Sequence, residues 1–497
     1  MTGRVAGRAP HPVIPTESAS LPVIPTKFTP HHVFPTELES LELFMPDQRQ
    51  SFWRLAAYAS PAYITGVLLF STAAIIPAFY AKHAGLSLAL IGTILAAGRL
   101  FDAVTDPAIG YLSDITKSRL GARKPWILAG FALAMVSMYF LYIPDETSGA
   151  VYFTLWLFML YFAFTMISIP HVAWGTEISR RYDERSRIST YVGMSSQLGS
   201  LTFALIPLIP LFALQGYNAK SLKFIAIFYV ALMPVVALMA ILWGPKGKPV
   251  AVEKPSIKTM FASVRKNRPF WFYLMPAIVG GLGNGIFFAT IFLYTDTYLQ
   301  LGKYFPHVLV IDAVATFLAM PFWLKIMYRL GKHRTMTIGW FIGAASMMAI
   351  AFLQPGEASL IPFLILVAVR AMAVAAGYAI PMALMGDVID YDILKTGVNR
   401  SANYFAFSAF IGKINAALGS GIGFIIIGAF GYTVQGPNSD FANKGLIFTS
   451  LILPAIAMII GGIALWYFPL DHRRQSIIRR RIEARAQRAE RDGVLLK

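Results

Sequence analysis

The 497-residue chain is 56% hydrophobic and only 14% charged, with a formal net charge of +18 and no cysteine. Soluble domains carry nearer a quarter charged residues, so an assembly of soluble domains is excluded, and disulfides, iron–sulfur clusters and thiol catalysis are excluded with it. The basic residues lie in short loops and a C-terminal tail rather than along one stripe, which fits contact with anionic lipid and argues against nucleic acid.

The N-terminus carries a ten-residue near-repeat over 11–40, HPVIPTESAS, LPVIPTKFTP and HHVFPTELES. Prolines at 12, 15, 22, 25 and 35 forbid a helix there. The expectation is a disordered tail over 1–50, with Met45 as a natural start; a cytoplasmic binding arm is the alternative. Beyond it, apolar runs long enough to cross a hydrocarbon core of about 30 Å recur along the chain. Reading them between charged or Pro/Gly breaks gives twelve spans, at 54–80, 86–112, 125–143, 151–177, 188–213, 222–243, 270–298, 305–329, 335–353, 359–391, 401–430 and 444–468.

The connections separate by charge. Loops after the even-numbered spans read KSRLGARK, RRYDERSR, GPKGKPVAVEKPSIKTMFASVRKNR, YRLGKHR and LKTGVNR. The others, PDETSGA, QGYNAKSLK, QLGKYFP, QPGEASL and GYTVQGPNSDFANK, contain no arginine. The even loops and both termini are therefore expected at the cytoplasmic face of the cell membrane. The longest internal loop, 244–269, divides the spans into halves at 51–243 and 270–469, followed by a basic tail at 470–497. An internal repeat supports the division: DAV at 102–104 precedes RLG at 119–121, and DAV at 312–314 precedes RLG at 329–331. The expected fold is an all-α integral membrane protein, twelve helices in two pseudo-symmetric six-helix halves of the major-facilitator kind, with its solute site at the midplane between them.

Within this apolar frame, FDAVTDPAIGYLSD places Asp102 and Asp106 on one side of span 2, one turn beyond Arg99. Carboxylates at that depth are costly unless they face a cavity, a partner or an ion. A bound Na⁺, a shared proton or a cationic side chain would relieve their repulsion. A purely structural Arg99–Asp102 bridge is the plainer alternative. Asp114, Arg119 and Arg123 lie where span 2 meets its basic loop and suggest a structural or gating cluster. Asp387, Asp390 and Arg400 mark the same end of spans 10 and 11; a solvated helix end is the plainer reading for them. Lys413 lies about a dozen residues into span 11, roughly 18 Å deep at 1.5 Å per residue, and calls for an anionic partner such as Asp102, Asp106 or a substrate group. Small residues at 416, 417, 419, 420, 421 and 423 would let neighbouring helices come close.

These two stretches resemble the glycoside–pentoside–hexuronide:cation symporters of the major facilitator superfamily. The first match runs through Asp102, Asp106, Pro107, Gly110, Asp114, Thr116, Ser118, Arg119, Gly121 and Pro125, and the second through Asp387, Asp390, Tyr391, Thr396, Gly397, Arg400 and Lys413. The resemblance covers nearly everything after residue 50. It implies that Asp102 and Asp106 bind the coupling cation, Na⁺ or H⁺, with Thr165 on span 4 assisting and Lys413 beside them. It also implies a monomeric transporter without a cofactor. The acids that sugar permeases of this family carry on spans 1 and 4 are missing, since span 1 has none and Ser168 stands at the span 4 position; span 5 lacks the expected arginine. His171, Trp174 and Gln197 remain as polar contacts to a solute, and Tyr63, Tyr294 and Tyr378 as aromatic ones. The expected activity is cation-coupled symport of a sugar-like solute, with transport or export of an amphipathic molecule as the alternative. No HExxH, GxSxG or His/Cys cluster offers enzymatic chemistry.

Overall fold

A computed structural model describes residues 50–145, 148–179, 182–209, 216–245, 247, 264–397 and 400–491. The proline-rich tail and most of the 244–269 loop lie outside the described residues. Within them the chain is helical, without a strand. A segment in hydrocarbon must satisfy its own N–H and C=O groups, and the helix does so within one span.

In chain order the helices are α1 (Phe52–Ala74), α2 (Ile76–His83), α3 (Leu88–Ile115), α4 (Lys124–Tyr142), α5 (Ala150–Ile178), α6 (Tyr182–Leu205) and α7 (Ala219–Trp243). After the long loop come α8 (Arg268–Leu293), α9 (Phe305–Leu330), α10 (Lys332–Ile350), α11 (Leu360–Val374), α12 (Ala376–Thr396), α13 (Ser401–Ala429), α14 (Asp440–Ile447), α15 (Leu453–Trp466) and α16 (His472–Arg491). Nine helical stretches among the described residues are long and apolar enough to cross a membrane. The three further spans expected from the sequence are also helical, as α6, α10 and α13.

Several expected spans are jointed rather than continuous. Span 1 divides at Ile75 into α1 and α2, with Pro77 in the first turn of α2. A proline fits there because the first turn's N–H groups have no helical partner. Span 10 divides at Ala375 into α11 and α12. Span 12 passes through a π turn at Phe448–Ile452, and Pro454 then opens α15. Pro454 has no N–H to offer the Ser450 carbonyl, and the wider turn changes register at that point. Span 5 begins earlier than expected, at Tyr182, and tightens into a 3₁₀ turn at Ile206–Leu208 around Pro207.

One end of the bundle carries the basic loops and is called the basic end below. The opposite end is shut by contacts between the first six and last six spans. Lys82 Nζ lies 2.7 Å from Asp296 Oδ2. The Tyr217 ring meets Phe292 at 5.9 Å and Phe305 at 6.4 Å. Near this end α3 and α13 touch backbone to backbone: a methyl group on Gly92 would stand 2.7 Å from the Gly421 carbonyl oxygen, and one on Gly428 2.7 Å from the Ala89 nitrogen. Only glycine permits that approach, as the small-residue run in span 11 suggested.

Candidate functional site

Helix α3 supplies the two acids, both half-buried. It starts at Ser87, whose hydroxyl accepts a hydrogen bond from the Leu90 N–H at 3.3 Å, a normal N-cap. Pro107 lies inside it and leaves the Ala103 carbonyl without its helical donor. Arg99 Nη1 lies 3.2 Å from Asp102 Oδ2. The Arg99 guanidinium also stacks over Tyr161 of α5, 4.7 Å from the ring centre. One turn on, Thr165 of α5 donates its hydroxyl to Asp106 Oδ1 at 2.9 Å and is itself 1% exposed. Two carboxylates and a hydroxyl thus converge between α3 and α5. Such hard oxygen donors suit a small alkali cation, and clustered carboxylates suit a shared proton.

Beside this cluster a cavity of about 980 Å³ lies between the two halves, and Arg99 is part of its wall. Its apolar lining includes Phe70, Phe287, Phe288, Phe317 and Met320. Hydrogen-bonding groups come from Gln197 and Ser200 on α6, Asn284 on α8, Thr316 on α9 and Asn415 on α13. Asn415 donates from Nδ2 to the Ala277 carbonyl at 2.8 Å, which fixes its orientation.

The second half contributes a charged pair the sequence reading did not single out. Arg370 on α11 pairs through Nη2 with Asp312 on α9, and both line the cavity. Asp312 begins the second DAV repeat, so it is the counterpart of Asp102. Arg370 is 2% exposed and lies over the Phe287 ring at 4.2 Å. A lone arginine ten residues into the run LIPFLILVAVRAMAV was the available signal, on the same rule that drew attention to Lys413.

The basic end repeats a second pattern. Arg123 pairs with Asp114, and its Nε reaches Glu177 Oε1 at 2.8 Å. In the other half Lys332 Nζ lies 2.6 Å from Asp387. The interval from Asp102 to Glu177 equals that from Asp312 to Asp387, so the two bridges are counterparts. Glu177 and Lys332 were not foreseen. Asp390 faces the C-terminal helix instead, accepting from Gln475 at 2.7 Å and pairing with Arg479 at 3.4 Å. Helix α16 is thereby docked on α12, with Arg485 donating to the Leu394 carbonyl at 2.6 Å. Arg400 sits at the N-cap position of α13 without a side-chain capping bond, and Arg119 stands in the loop after α3.

Of the solute contacts expected from the sequence, Gln197 is on the cavity wall. Five others are not among the lining residues. His171 is 3% exposed, and its Nε2 hydrogen-bonds the Tyr58 carbonyl at 2.7 Å while its ring stacks on Tyr58. Trp174 is buried with its indole N–H on the Pro245 carbonyl at 3.0 Å. Tyr294 is fully buried and donates to the Ile350 carbonyl at 3.0 Å. Tyr63 receives the Thr202 hydroxyl at 2.7 Å beside Tyr229, and Ser168 is a half-buried residue of α5. Each of the first four satisfies its polar atom inside the helix packing, the usual state of a buried polar group. The side chains of Tyr378 and Lys413 lie outside the described residues; their backbones belong to α12 and α13.

Comparison with known proteins agrees with this architecture. The uncharacterized symporter YnaJ of Bacillus subtilis (strain 168) is 24% identical over 442 residues, covering 86% of this chain and 94% of that protein. The glucuronide carrier protein homolog of Escherichia coli (strain K12) is 23% identical, with 86% and 94% covered. The sodium-dependent lysophosphatidylcholine symporter 1 of Gallus gallus is also 23% identical, over 86% of this chain and 90% of that one. Among solved structures, the nucleoside transporter NupG superposes with a TM-score of 0.58 at 14% identity, over 84% of this chain and 99% of that chain, which supports the shared fold alone. The family described as MFS/sugar transport protein matches residues 57–472. With the helical bundle, the repeated half and the central cavity, that match identifies the chain as a member of the MFS/sugar transport family, a non-enzymatic membrane transporter.

Proposed function

We propose that the protein is a secondary active transporter that couples a cation at Asp102, Asp106 and Thr165 to movement of an organic solute through the central cavity. The observation that carries this reading is the Thr165–Asp106 hydrogen bond, which gathers two acids and a hydroxyl behind the cavity wall at Arg99. The basic loops and both termini are read as facing the cytoplasm of the cell membrane, which makes the shut end external.

Two ionised carboxylates one turn apart repel, and Arg99 offsets that repulsion by holding Asp102. An arriving Na⁺ or proton competes with Arg99 for Asp102. Once displaced, Arg99 relaxes along the cavity wall, and solute binding and cation binding become linked through this one side chain. Closing the basic end then requires the Arg123 and Lys332 clusters of the two halves to approach, and the Lys82–Asp296 contact to part. The monomer with its lipid surround suffices for this cycle.

The solute is glycoside-like, gripped by Gln197, Asn284 and Asn415. A second reading, an amphipathic solute, is favoured by the phenylalanine-rich lining. The test is gradient-driven uptake into proteoliposomes of a radiolabelled glycoside and a lysolipid, under imposed Na⁺ or H⁺ gradients. Uptake of either solute that follows either gradient supports coupling; uptake that ignores both gradients overturns it.

A further inference from the structure

Tyr161 of α5 lies against the backbone of α3. A methyl group on Gly98 would stand 2.6 Å from Tyr161 Cε2 and 2.9 Å from Cδ2, so the ring fills space that only a glycine leaves. The next residue is Arg99, whose guanidinium lies 4.7 Å from the ring centre and whose Nη1 pairs with Asp102 at 3.2 Å. Arg99 Nε and Tyr161 Oη are both buried without a hydrogen-bond partner among the described residues. Unmatched buried donors are costly, and more so on a charged group. Both residues line a second, small cavity of about 10 Å³, walled otherwise by α1 and α5. Thr72 of α1 completes its polar lining and is 2% exposed. Its hydroxyl donates to the Leu68 carbonyl at 2.6 Å, which leaves the oxygen free to accept.

We infer that Tyr161 is a positioning residue of the coupling site: through its ring and one buried water shared with Thr72, it holds Arg99 in the Asp102-paired position and so sets how readily a cation displaces that arginine. This rests on the cation reading of Asp102 and Asp106 and names what tunes their affinity. A cavity of about 10 Å³ sits at the lower limit for a single water, and a buried water is typically held by about three hydrogen bonds. Here the water accepts from Arg99 Nε and Tyr161 Oη and donates to Thr72 Oγ1, so each unmatched donor gains an acceptor. Nothing larger fits, and the guanidinium repels a cation of similar size. With Nε anchored and the ring beneath it, the guanidinium keeps Nη1 toward Asp102. An arriving cation must then overcome the water bridge and the ring contact as well as the ion pair. Loss of the bridge leaves Nε unmatched in the paired position, which raises the energy of that position and lets the cation win at lower concentration.

The experiment titrates NaCl, balanced with choline chloride, into the purified full-length protein in detergent and reads the concentration at half-maximal thermal stabilisation. A parallel pH titration without sodium reads the midpoint of any proton response. Tyr161→Phe removes the hydroxyl and keeps the ring. It should lower the half-saturating sodium concentration about three- to tenfold, the effect of one net hydrogen bond. A proton response should move to higher pH, because a carboxylate less firmly held by Arg99 takes its proton more easily. Thr72→Val should shift the response in the same direction, and Thr72→Ser, which keeps the hydroxyl, should restore the wild-type value. A packing role alone would lower the melting temperature and leave half-saturation unchanged. That result, or weaker cation binding in Tyr161→Phe, overturns the inference while the cation reading stands. A water-resolving density map of the wild type is the second readout. One peak bonded to both Arg99 Nε and Tyr161 Oη is expected, and a dry pocket overturns the inference without reference to any cation. The map and the Thr72 pair keep the inference testable where Tyr161→Phe does not fold. A wild type that answers neither sodium nor protons overturns the cation reading and, with it, the role given to Tyr161.

Discussion

The second helix of each half begins its polar stretch with the same DAV tripeptide, but the two stretches do different chemistry. In the first, Asp102 is followed one turn later by Asp106, and the neutralising arginine, Arg99, is on the same helix. In the second, the position after Asp312 that corresponds to Asp106 is Thr316, and the arginine comes from another helix, α11. Two carboxylates with a hydroxyl make a place for a small cation. A single carboxylate with its guanidinium and a threonine in place of the second acid lacks that gathering of oxygens. Duplication supplied two similar scaffolds, and in the proposed cycle a single acid-to-threonine difference separates the ion side from the solute side.

The largest expected effect follows from removing the second acid. Asp106→Asn keeps an acceptor for Thr165 but loses the charge, so gradient-driven accumulation should fall by about 100-fold, the order expected when a buried site loses one of two charges. Facilitated exchange of solute without a gradient should persist. Should accumulation survive in that variant, the contrast between the halves loses its meaning. Thr165→Val is the milder probe on the same side. It should raise the half-saturating cation concentration roughly tenfold, the worth of one hydrogen bond to a charged group. Solute affinity measured at saturating cation should stay unchanged, and a loss of solute affinity alone would move Thr165 to the wrong side of the comparison.

A third probe separates cavity wall from packing. His171→Leu should lower stability by about 1–3 kcal/mol, because the Tyr58 carbonyl loses its buried partner. It should not alter solute affinity, whereas Gln197→Ala should weaken affinity with little change in melting temperature. The reverse pattern would restore His171 to the solute site. The smallest effect is expected at the shut end. Lys82→Ala breaks an ion pair whose lysine is half exposed, so the outward-open population should rise only about two- to fivefold. The chain has no cysteine, so Asn284→Cys or Gln197→Cys labelled by an impermeant maleimide from outside reads that shift without a background.

Much of the fold was legible because membrane spans obey a strong constraint: length and hydropathy located the helices, and the DAV and RLG repeats paired the halves. The joints at Ile75 and Ala375 were not, since a proline or glycine inside an apolar run marks a turn only when the surrounding packing requires it. Asp102 and Asp106 were named from sequence because charges in a hydrocarbon setting are conspicuous, and Thr165 from the family resemblance; the structure brings Thr165 to Asp106. His171 and Trp174 misled for the opposite reason. A polar atom on a membrane helix is satisfied by a carbonyl across a helix contact as readily as by a solute, and the pattern of one strand of letters does not say which. Arg370 was equally conspicuous in its run, but its partner Asp312 had registered only as part of a repeat, and neither residue alone announces a pair formed between α9 and α11.

The glycine seam between α3 and α13 bears on how the shut end opens. Contacts between flat backbone surfaces have no long side chains to stretch across a widening gap. Dispersion attraction falls by a quarter to a half within about 1 Å of separation. A seam of this kind is brittle: once Gly92 and Gly421 part by about 1 Å, up to half of the adhesion has already gone. The shut end should therefore behave as a snap closure with two settled positions, because its resistance to opening falls fastest in the first ångström of travel.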